Sequence, residues 1–248
     1  MKVRFVTLGC KLNFAESSAL GKELLLRGHQ RATPNEVPDV CVVNTCSVTD
    51  AADHKDRQTI NQLHRKYPNA IIIVTGCYAQ LQPQQIAQIE GVDYVLGQEE
   101  KYEIPKLVAT LESDAAKAAI GRAEPYGILD ATLMDEEEMR RESERVRVGA
   151  IREVEEFHGV HSADDRTRCF IKVQDGCNYF CTYCTIPYAR GKSRNPKIED
   201  VVRDAQEALK QGAKELIITG VNIGDFGRST GESFIELLRA LDELGDEA

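Results

Sequence analysis

Val40-Cys41-Val42-Val43-Asn44-Thr45 is an apolar run of four residues that closes on two polar ones. Such a run predicts a strand that is buried on both faces, as in a parallel sheet. Ala70-Ile71-Ile72-Ile73-Val74-Thr75 repeats the pattern, and a helical pattern runs from Asp50 to Lys66 between the two. A strand, a helix and a second strand in this order predict a βαβ unit.

Similar patterns lie on both sides of this unit. Strands are predicted at Val3–Leu8 and Val92–Leu96, and helices at Ala15–Arg27 and Gln84–Ile89. Alternating strands and helices with apolar strands are typical of an open parallel sheet with helices on both faces. We therefore predict an α/β domain of this kind over residues 1–111.

A second α/β segment is predicted at 167–248. A strand pattern at Cys169–Val173 leads directly into a cysteine-rich loop. A helix at Ile198–Gln211, a strand at Glu215–Thr219 and a helix at Phe234–Leu244 follow. Two strand–helix units in series predict the beginning of another β/α array.

Residues 112–166 have a different character. They include the acidic run Asp135-Glu136-Glu137-Glu138 and show little apolar periodicity. Charge runs of this kind usually form solvated faces. We interpret the segment as a charged connector that is partly helical from Leu133 to Val146.

Composition restricts the functions that are compatible with the chain. No apolar run is long enough to span a bilayer, and the start of the chain does not resemble a secretion signal, so we expect a cytoplasmic protein. In a reducing compartment, eight cysteines indicate metal binding or redox work rather than disulfides. The net charge is −9, yet residues 167–214 carry nine basic and five acidic residues. That basic segment is compatible with nucleic-acid binding and equally with ordinary surface charge.

Three cysteines that are far apart in sequence share one position. Cys10, Cys46 and Cys77 each follow a predicted strand. Because the carboxyl ends of parallel strands lie along one edge, where ligands bind, these thiols are predicted to converge. Three thiolates suit an iron–sulfur cluster with one open iron, whereas zinc usually takes a fourth ligand. The alternative is that all three are inert buried thiols.

The densest cysteine motif is Cys177-Asn178-Tyr179-Phe180-Cys181-Thr182-Tyr183-Cys184. Its spacing, C-x-x-x-C-x-x-C directly after a strand, lets one short loop present three thiolates. A zinc knuckle completed by Cys169 and a thioredoxin-like Cys181/Cys184 pair are the alternatives. Cys41 and Cys169 lie inside strand patterns and are interpreted as core thiols. The motif resembles the signature of the radical S-adenosylmethionine (SAM) superfamily, and Tyr183 fits the aromatic residue that precedes its third cysteine.

Three segments make the resemblance more specific. Thr7–Asn13, Cys177–Gly191 and Thr219–Gly227 resemble motifs of the radical SAM methylthiotransferases. The last segment is most similar to the branch that acts on N6-threonylcarbamoyladenosine in tRNA. The resemblance covers residues 1–111 and 167–248, and it implies that the second segment is part of a radical SAM partial TIM barrel.

The resemblance implies two [4Fe-4S] clusters and SAM as cofactors. The cluster on Cys177, Cys181 and Cys184 is expected to bind SAM and cleave it to a 5′-deoxyadenosyl radical, which takes hydrogen from C2 of the adenine. The cluster on Cys10, Cys46 and Cys77 is expected to hold the sulfur that is inserted. A second SAM supplies the methyl group, and the protein positions these groups.

Basic residues beside the loop are candidates for anion contacts. Arg190 is predicted to contact the SAM carboxylate, and Lys192 and Arg194 are predicted to contact substrate phosphates. Ordinary surface charge is the alternative for all three.

Three further residues are candidates for SAM contacts. Tyr183 is expected to contact the SAM adenine, mainly through its backbone, with simple packing as the alternative. Gly220 and Asn222 lie where many radical SAM enzymes have a Gly-Gly-Glu triplet that holds the SAM amino group. This sequence lacks the triplet, so their assignment rests on position alone.

The resemblance also implies partners and a longer chain. The expected partners are a tRNA anticodon stem-loop and an electron donor such as a flavodoxin or a ferredoxin, with the protein acting as a monomer. Only about 80 residues follow Thr167, which supplies two strand–helix units of roughly 30 residues each, so we expect a chain truncated at its C-terminus. The alternative functions are methylthiotransfer to isopentenyladenosine tRNA or to a ribosomal protein aspartate, and a non-catalytic zinc or redox module.

Overall fold

The structure is a computed structural model and describes residues 1–112, 144–162 and 168–245. The chain forms two compact units. The first unit consists of Met1–Gly9 with Glu23–Gly149, and the second unit consists of Cys10–Lys22 with Ala150–Ala248. The separate connector at 112–166 stays a prediction, because residues 113–143 and 163–167 lie outside the described part of the chain.

The first unit is built on a six-stranded sheet of order β2-β1-β3-β4-β5-β6, in which all neighbours are parallel. This arrangement confirms the predicted open parallel sheet. The strands are β1 (Lys2–Thr7), β2 (Gln30–Arg31), β3 (Val40–Thr45), β4 (Ile71–Gly76), β5 (Tyr94–Leu96) and β6 (Val146–Arg147).

Apolar burial explains why β3 and β4 lie at the centre of this sheet. All six residues of β3 are buried, as are the last five of β4. The register pairs Thr7 with Asn44 and Thr45 with Gly76, so β1, β3 and β4 end at nearly the same level. Residues that follow these strands therefore emerge from one edge of the sheet.

Helices follow most strands. They are α1 (Lys11–Leu26), α2 (Asp50–Lys66), α3 (Cys77–Leu81), α4 (Pro83–Ala87) and α5 (Ile104–Glu112). Local sequence determines the start of α2, because the Thr49 hydroxyl accepts a hydrogen bond from the Ala52 N–H at 3.2 Å. Ile60 and Leu63 on α2 are buried in the core beside β3 and β4.

Two local predictions for this unit are wrong. The first helix begins at Lys11 rather than Ala15. The helix predicted from Leu133 to Val146 does not extend to its end, because Val146–Arg147 is strand β6, which pairs with Val95 and Leu96 of β5. Tertiary pairing overrides helix propensity at this edge of the sheet. Residues 133–143 lie outside the described residues.

The second unit contains a smaller sheet of order β7-β8-β9. Strand β8 is parallel to β9 and antiparallel to β7, and α7 connects β8 to β9 along the chain. The series β8–α7–β9–α8 confirms the predicted strand–helix units. The elements are β7 (Val160–His161), β8 (Arg168–Lys172), α6 (Ile186–Arg190), α7 (Ile198–Lys210), β9 (Glu215–Thr219) and α8 (Phe234–Asp242).

The core of the second unit lies between this sheet and its helices. It contains Ile171 of β8, Val201 and Ala205 of α7, and Leu237 of α8, all at most 1% exposed. The Ser233 hydroxyl caps α8 by accepting from the Glu236 N–H at 3.3 Å. This packing holds the C-terminal end of β8, from which the cysteine loop leaves.

Candidate metal centre

The three clustered cysteines lie on one irregular loop between β8 and α6. Cys181 is exposed, and Cys177 and Cys184 are partly exposed. A tight turn joins two of them, because the Cys184 N–H donates to the Cys181 carbonyl at 2.9 Å. Phe180, directly before Cys181, has a φ of 48°, a value that non-glycine residues rarely adopt. Strained backbone of this kind is common at functional loops.

The two ends of the loop are held together at a narrow neck. Asp175 and Arg194 form an antiparallel bridge, with N–H to carbonyl distances of 3.0 and 2.9 Å. One step further in, the Cys177 N–H donates to the Gly191 carbonyl at 3.0 Å. The neck requires glycine at position 176, where φ is 69° and an added Cβ would lie 1.9 Å from the Lys192 carbonyl oxygen.

The donor set of this loop fits an iron–sulfur cluster. Three thiols are presented by eight consecutive residues, all three are free of disulfides, and each reaches solvent at least in part. Sulfur-only donors suit iron–sulfur clusters and zinc, and a trio without a fourth cysteine on the same loop favours a cluster with one open iron.

Five buried charged residues lie at the neck, and we call them the neck cluster: Glu16, Lys172, Asp175, Arg190 and Arg194. Arg190 Nη1 lies 3.1 Å from Glu16 Oε1 and 3.0 Å from Asp175 Oδ1. Lys172 Nζ lies 3.2 Å from the same Glu16 oxygen and 2.8 Å from Asp175 Oδ2. Arg194 Nη2 approaches Asp175 Oδ2 at 3.4 Å.

This burial bears on two predicted site residues. Arg190 is 1% exposed, and Arg194 also donates to the backbone carbonyls of Arg190 and Lys192. Their guanidinium groups therefore bind the protein itself. A direct contact of either residue with SAM or substrate stays a prediction, and ordinary surface charge does not describe these two side chains.

Lys192 and Tyr183, by contrast, are exposed side chains on or beside the loop. Tyr183 is 88% exposed, which is unusual for an aromatic residue and does not fit simple packing. Lys192 borders an open pocket of about 450 Å³. The other residues that line the pocket are Arg152, Asn178, Phe180, Pro187 and Tyr188.

Two polar side chains, Gln174 and Asp225, connect the segment after β9 to the cysteine loop. Neither residue was predicted from the sequence. Buried Gln174 accepts from the Asn222 N–H at 2.7 Å and donates to the Gly176 carbonyl at 2.8 Å. Buried Asp225 accepts from the Tyr179 hydroxyl and from the Asn222 amide, both at 3.1 Å. An amide directly before Asp-Gly-Cys was the available signal for Gln174.

These contacts place two further predicted site residues. A Cβ on Gly220 would lie 3.1 Å from Gln174 Cβ, so the chain passes close to the start of the loop there. The Asn222 side chain is partly exposed and is oriented by Asp225. Their contact with SAM stays a prediction.

The earlier cysteines follow strands of the first unit. Cys46 and Cys77 come directly after β3 and β4, which are neighbours, and both are buried. The Cys46 N–H donates to Asp56 Oδ2 at 2.9 Å, and burial raises the pKa of Asp56 to about 7. Gln98 Nε2 donates to Cys77 Sγ at 3.4 Å. A carboxylate thus holds the backbone of Cys46, and an amide contacts the thiol of Cys77.

Cys10 is exposed and comes three residues after the end of β1, at the start of α1. Its Sγ lies 3.8 Å from Asn13 Oδ1. Strand β1 pairs with β3, so the chain positions that precede all three early cysteines belong to neighbouring strands. A shared cluster on the three stays a prediction.

The two remaining cysteines are core thiols. Cys41 lies in the core of the first unit and Cys169 in that of the second, at 0% and 3% exposure. Burial raises the pKa of Cys41 to about 11 and also raises that of Cys169. Burial therefore disfavours the thiolate form, which is the form that binds metal, in both residues, and a zinc knuckle that uses Cys169 has little support.

Comparison with known proteins decides the family. Residues 171–245 match the Radical SAM superfamily. The chain contains a radical SAM domain that begins at residue 171. Residues 2–97 match Uncharacterized protein family UPF0004. The radical SAM match includes all three loop cysteines.

Curated relatives extend the similarity over nearly the whole chain. It is 36% identical over 244 residues to the threonylcarbamoyladenosine tRNA methylthiotransferase MtaB of Aquifex aeolicus, covering 97% of this chain and 53% of the relative. The enzyme of the same name from Bacillus subtilis is 35% identical, with 97% and 48% covered. The ribosomal protein uS12 methylthiotransferase RimO of Chloroflexus aurantiacus is 32% identical, with 93% and 48% covered. The chain thus spans about half the length of these relatives.

None of the helices that the structure describes combines the length and the apolar composition that crossing a bilayer requires.

Proposed function

We propose that the chain is part of an enzyme that inserts a methylthio group at C2 of N6-threonylcarbamoyladenosine in tRNA. The observation that carries the proposal is the cysteine loop. It presents three thiols that reach solvent, and its two ends meet at a neck that requires Gly176. The similarity to the two relatives named as threonylcarbamoyladenosine tRNA methylthiotransferases supports the choice of substrate.

Each part of the loop has a task in this proposal. Cys177, Cys181 and Cys184 hold a [4Fe-4S] cluster that leaves one iron for SAM. When bound, the cluster supplies the electron that cleaves SAM. The protein keeps the loop closed through the hydrogen bond from the Cys177 N–H to the Gly191 carbonyl. A backbone hydrogen bond from the Cys184 N–H to the Cys181 carbonyl closes the turn that carries these two cysteines.

A second [4Fe-4S] cluster is proposed on Cys10, Cys46 and Cys77. The support is that the strands preceding these cysteines are neighbours in one parallel sheet and end at nearly the same level. The Gln98 amide donates to Cys77 Sγ, a contact that would stabilise a thiolate. This trio would hold the sulfur that is transferred.

SAM and substrate contacts are proposed for the residues that remain accessible. Tyr183, which is exposed, contacts the SAM adenine mainly through its backbone in this proposal, and Asn222 offers an oriented side chain beside the loop. Lys192, which lines the open pocket, offers a cation for a phosphate. Arg190 and Arg194 are better supported as residues that shape the neck, because their guanidinium groups are engaged by the protein.

The proposed partners follow from the proposed reaction. They are a tRNA anticodon stem-loop and an electron donor such as a flavodoxin or a ferredoxin. We propose that the protein works as a monomer in the cytoplasm. The absence of a membrane-spanning helix among the described residues is compatible with that location.

Nucleoside analysis tests the proposal. The gene is deleted, and hydrolysed tRNA is compared with wild type by liquid chromatography and mass spectrometry. Loss of the methylthio group from threonylcarbamoyladenosine, restored by the gene and by a Cys169→Ala version but not by a Cys181→Ala version, supports the proposal. Loss from isopentenyladenosine or from a ribosomal protein aspartate identifies one of the other methylthiotransferase reactions. Unchanged modification of all three contradicts a methylthiotransferase.

A further inference from the structure

The neck cluster joins the two ends of the cysteine loop by charge. Asp175 lies two residues before Cys177, and Arg190 lies six residues after Cys184. The ion pair between them, at 3.0 Å, therefore closes the loop a second time beside the backbone bridge. Arg194, which forms the backbone bridge with Asp175, also contacts the Asp175 carboxylate through its side chain.

A residue from a distant part of the sequence completes this arrangement. Glu16 of α1 is fully buried, and its carboxylate contacts both Arg190 and Lys172. Arg190 Nη2 also donates to Asn13 Oδ1 of α1 at 2.6 Å. The segment that begins at Cys10 is thus fastened to the outgoing end of the cysteine loop. All of these residues belong to the second unit.

Burial makes the orientation of these side chains specific. A buried guanidinium that donates to three acceptors has one favourable position, because each lost hydrogen bond leaves a charged group unpaired. Arg190 has such acceptors in Asn13, Glu16 and Asp175. Since Arg190 immediately precedes Gly191, which accepts from the Cys177 N–H, its position determines where the loop closes.

We propose that Glu16 and Arg190 are positioning residues for the cysteine loop, holding its neck in the geometry that its three thiolates need to retain a cluster. The proposal rests on the proposed function, because it assumes that the loop holds iron. It assigns to Glu16 a role in a centre whose nearest cysteine in sequence, Cys177, lies 161 residues away.

The test uses the full chain carrying Cys46→Ala and Cys77→Ala, so that iron bound by the loop is measured alone. Glu16→Gln removes one charge and keeps the shape of the side chain. Glu23→Gln is the matched control, since it lies on the same helix and loses only a surface pair with Arg27. After anaerobic reconstitution, iron retention against a chelator and the electron paramagnetic resonance spectrum of the reduced cluster are recorded with and without SAM.

Glu16→Gln is expected to weaken iron retention by about 10- to 100-fold, the range typical of groups that orient metal ligands. It should also reduce the change that SAM produces in the spectrum of each cluster that remains bound. Arg190→Lys, which keeps the charge, should recover part of the retention that Arg190→Met loses. Glu23→Gln should match the parent in every measurement.

The outcomes separate this proposal from the proposed function. A parent chain that retains no iron overturns both. A parent that retains iron while Glu16→Gln gives the same retention and the same spectrum, even with a lower melting temperature, overturns the positioning role alone. If Glu16→Gln does not fold, the two Arg190 variants decide, and equal retention by both counts against the proposal.

Discussion

Replacing Gly176 with alanine tests the closed neck of the cysteine loop. At its φ of 69°, alanine is destabilised by about 1–2 kcal/mol relative to its preferred conformations. Its Cβ would lie 1.9 Å from the Lys192 carbonyl oxygen, whereas ordinary contact begins at 3.4 Å. Moving backbone apart by this amount resembles overpacking, which costs about 1–3 kcal/mol. The free energy of unfolding should therefore fall by about 2–5 kcal/mol.

Gly212→Ala is the matched control for this change. Gly212 has a similar φ of 94°, but nothing lies within 4 Å of the added Cβ. For this variant the free energy of unfolding should fall only by the cost of the backbone conformation, about 1–2 kcal/mol. Both variants are unfolded in urea without iron and followed by circular dichroism, and loop iron is measured after reconstitution. Equal unfolding midpoints for the two variants, or full iron retention by Gly176→Ala, would refute the reasoning.

Three further predictions concern the second unit. Leu237→Ala removes a fully buried side chain of α8 and should lower the free energy of unfolding by about 2–5 kcal/mol in a urea titration, whereas a loss below that range would indicate a loosely packed core. Asp225→Ala leaves the partly buried hydrogen bonds from Tyr179 and Asn222 without their acceptor and should lower the free energy of unfolding by about 1–3 kcal/mol, and Asp225→Asn should recover part of that loss. Burial, assisted by Lys22, lowers the pKa of His161, so the unfolded chain binds its proton more readily. The contribution of neutral His161 to the free energy of unfolding is therefore fully present above about pH 6.5, the ordinary pKa of histidine, and is lost as the pH falls below that value. His161→Gln should reduce this loss, which is measured as the decline of the melting temperature from pH 8 to pH 5.

Local sequence was sufficient for the elements whose ends are encoded nearby. Helix α2 begins and ends where predicted because Thr49 caps its start and Pro68 follows its end. Strand β9 also has its predicted bounds, Glu215–Thr219. By contrast, β6 is a two-residue strand that exists through pairing with β5, and nothing near Val146 indicates that pairing.

The same distinction applies to the candidate site. The three loop cysteines could be identified from their spacing because one short segment carries them all. The burial of Arg190 could not, because its partner Glu16 lies 174 residues away and both look like ordinary surface charges in sequence. The roles of Gln174 and Asp225 could not be predicted for a related reason, because they depend on contacts between the cysteine loop and the segment that follows β9.

Iron analysis of the reconstituted chain tests the central claim most directly. The wild-type chain should bind about eight iron atoms and negligible zinc, as expected for two four-iron clusters. Replacing the three loop cysteines with alanine should leave about four iron atoms and abolish the response of the spectrum to SAM, whereas Cys169→Ala should change neither. Stoichiometric zinc in place of iron, or an iron content that is unaffected by loss of the loop cysteines, would contradict the account.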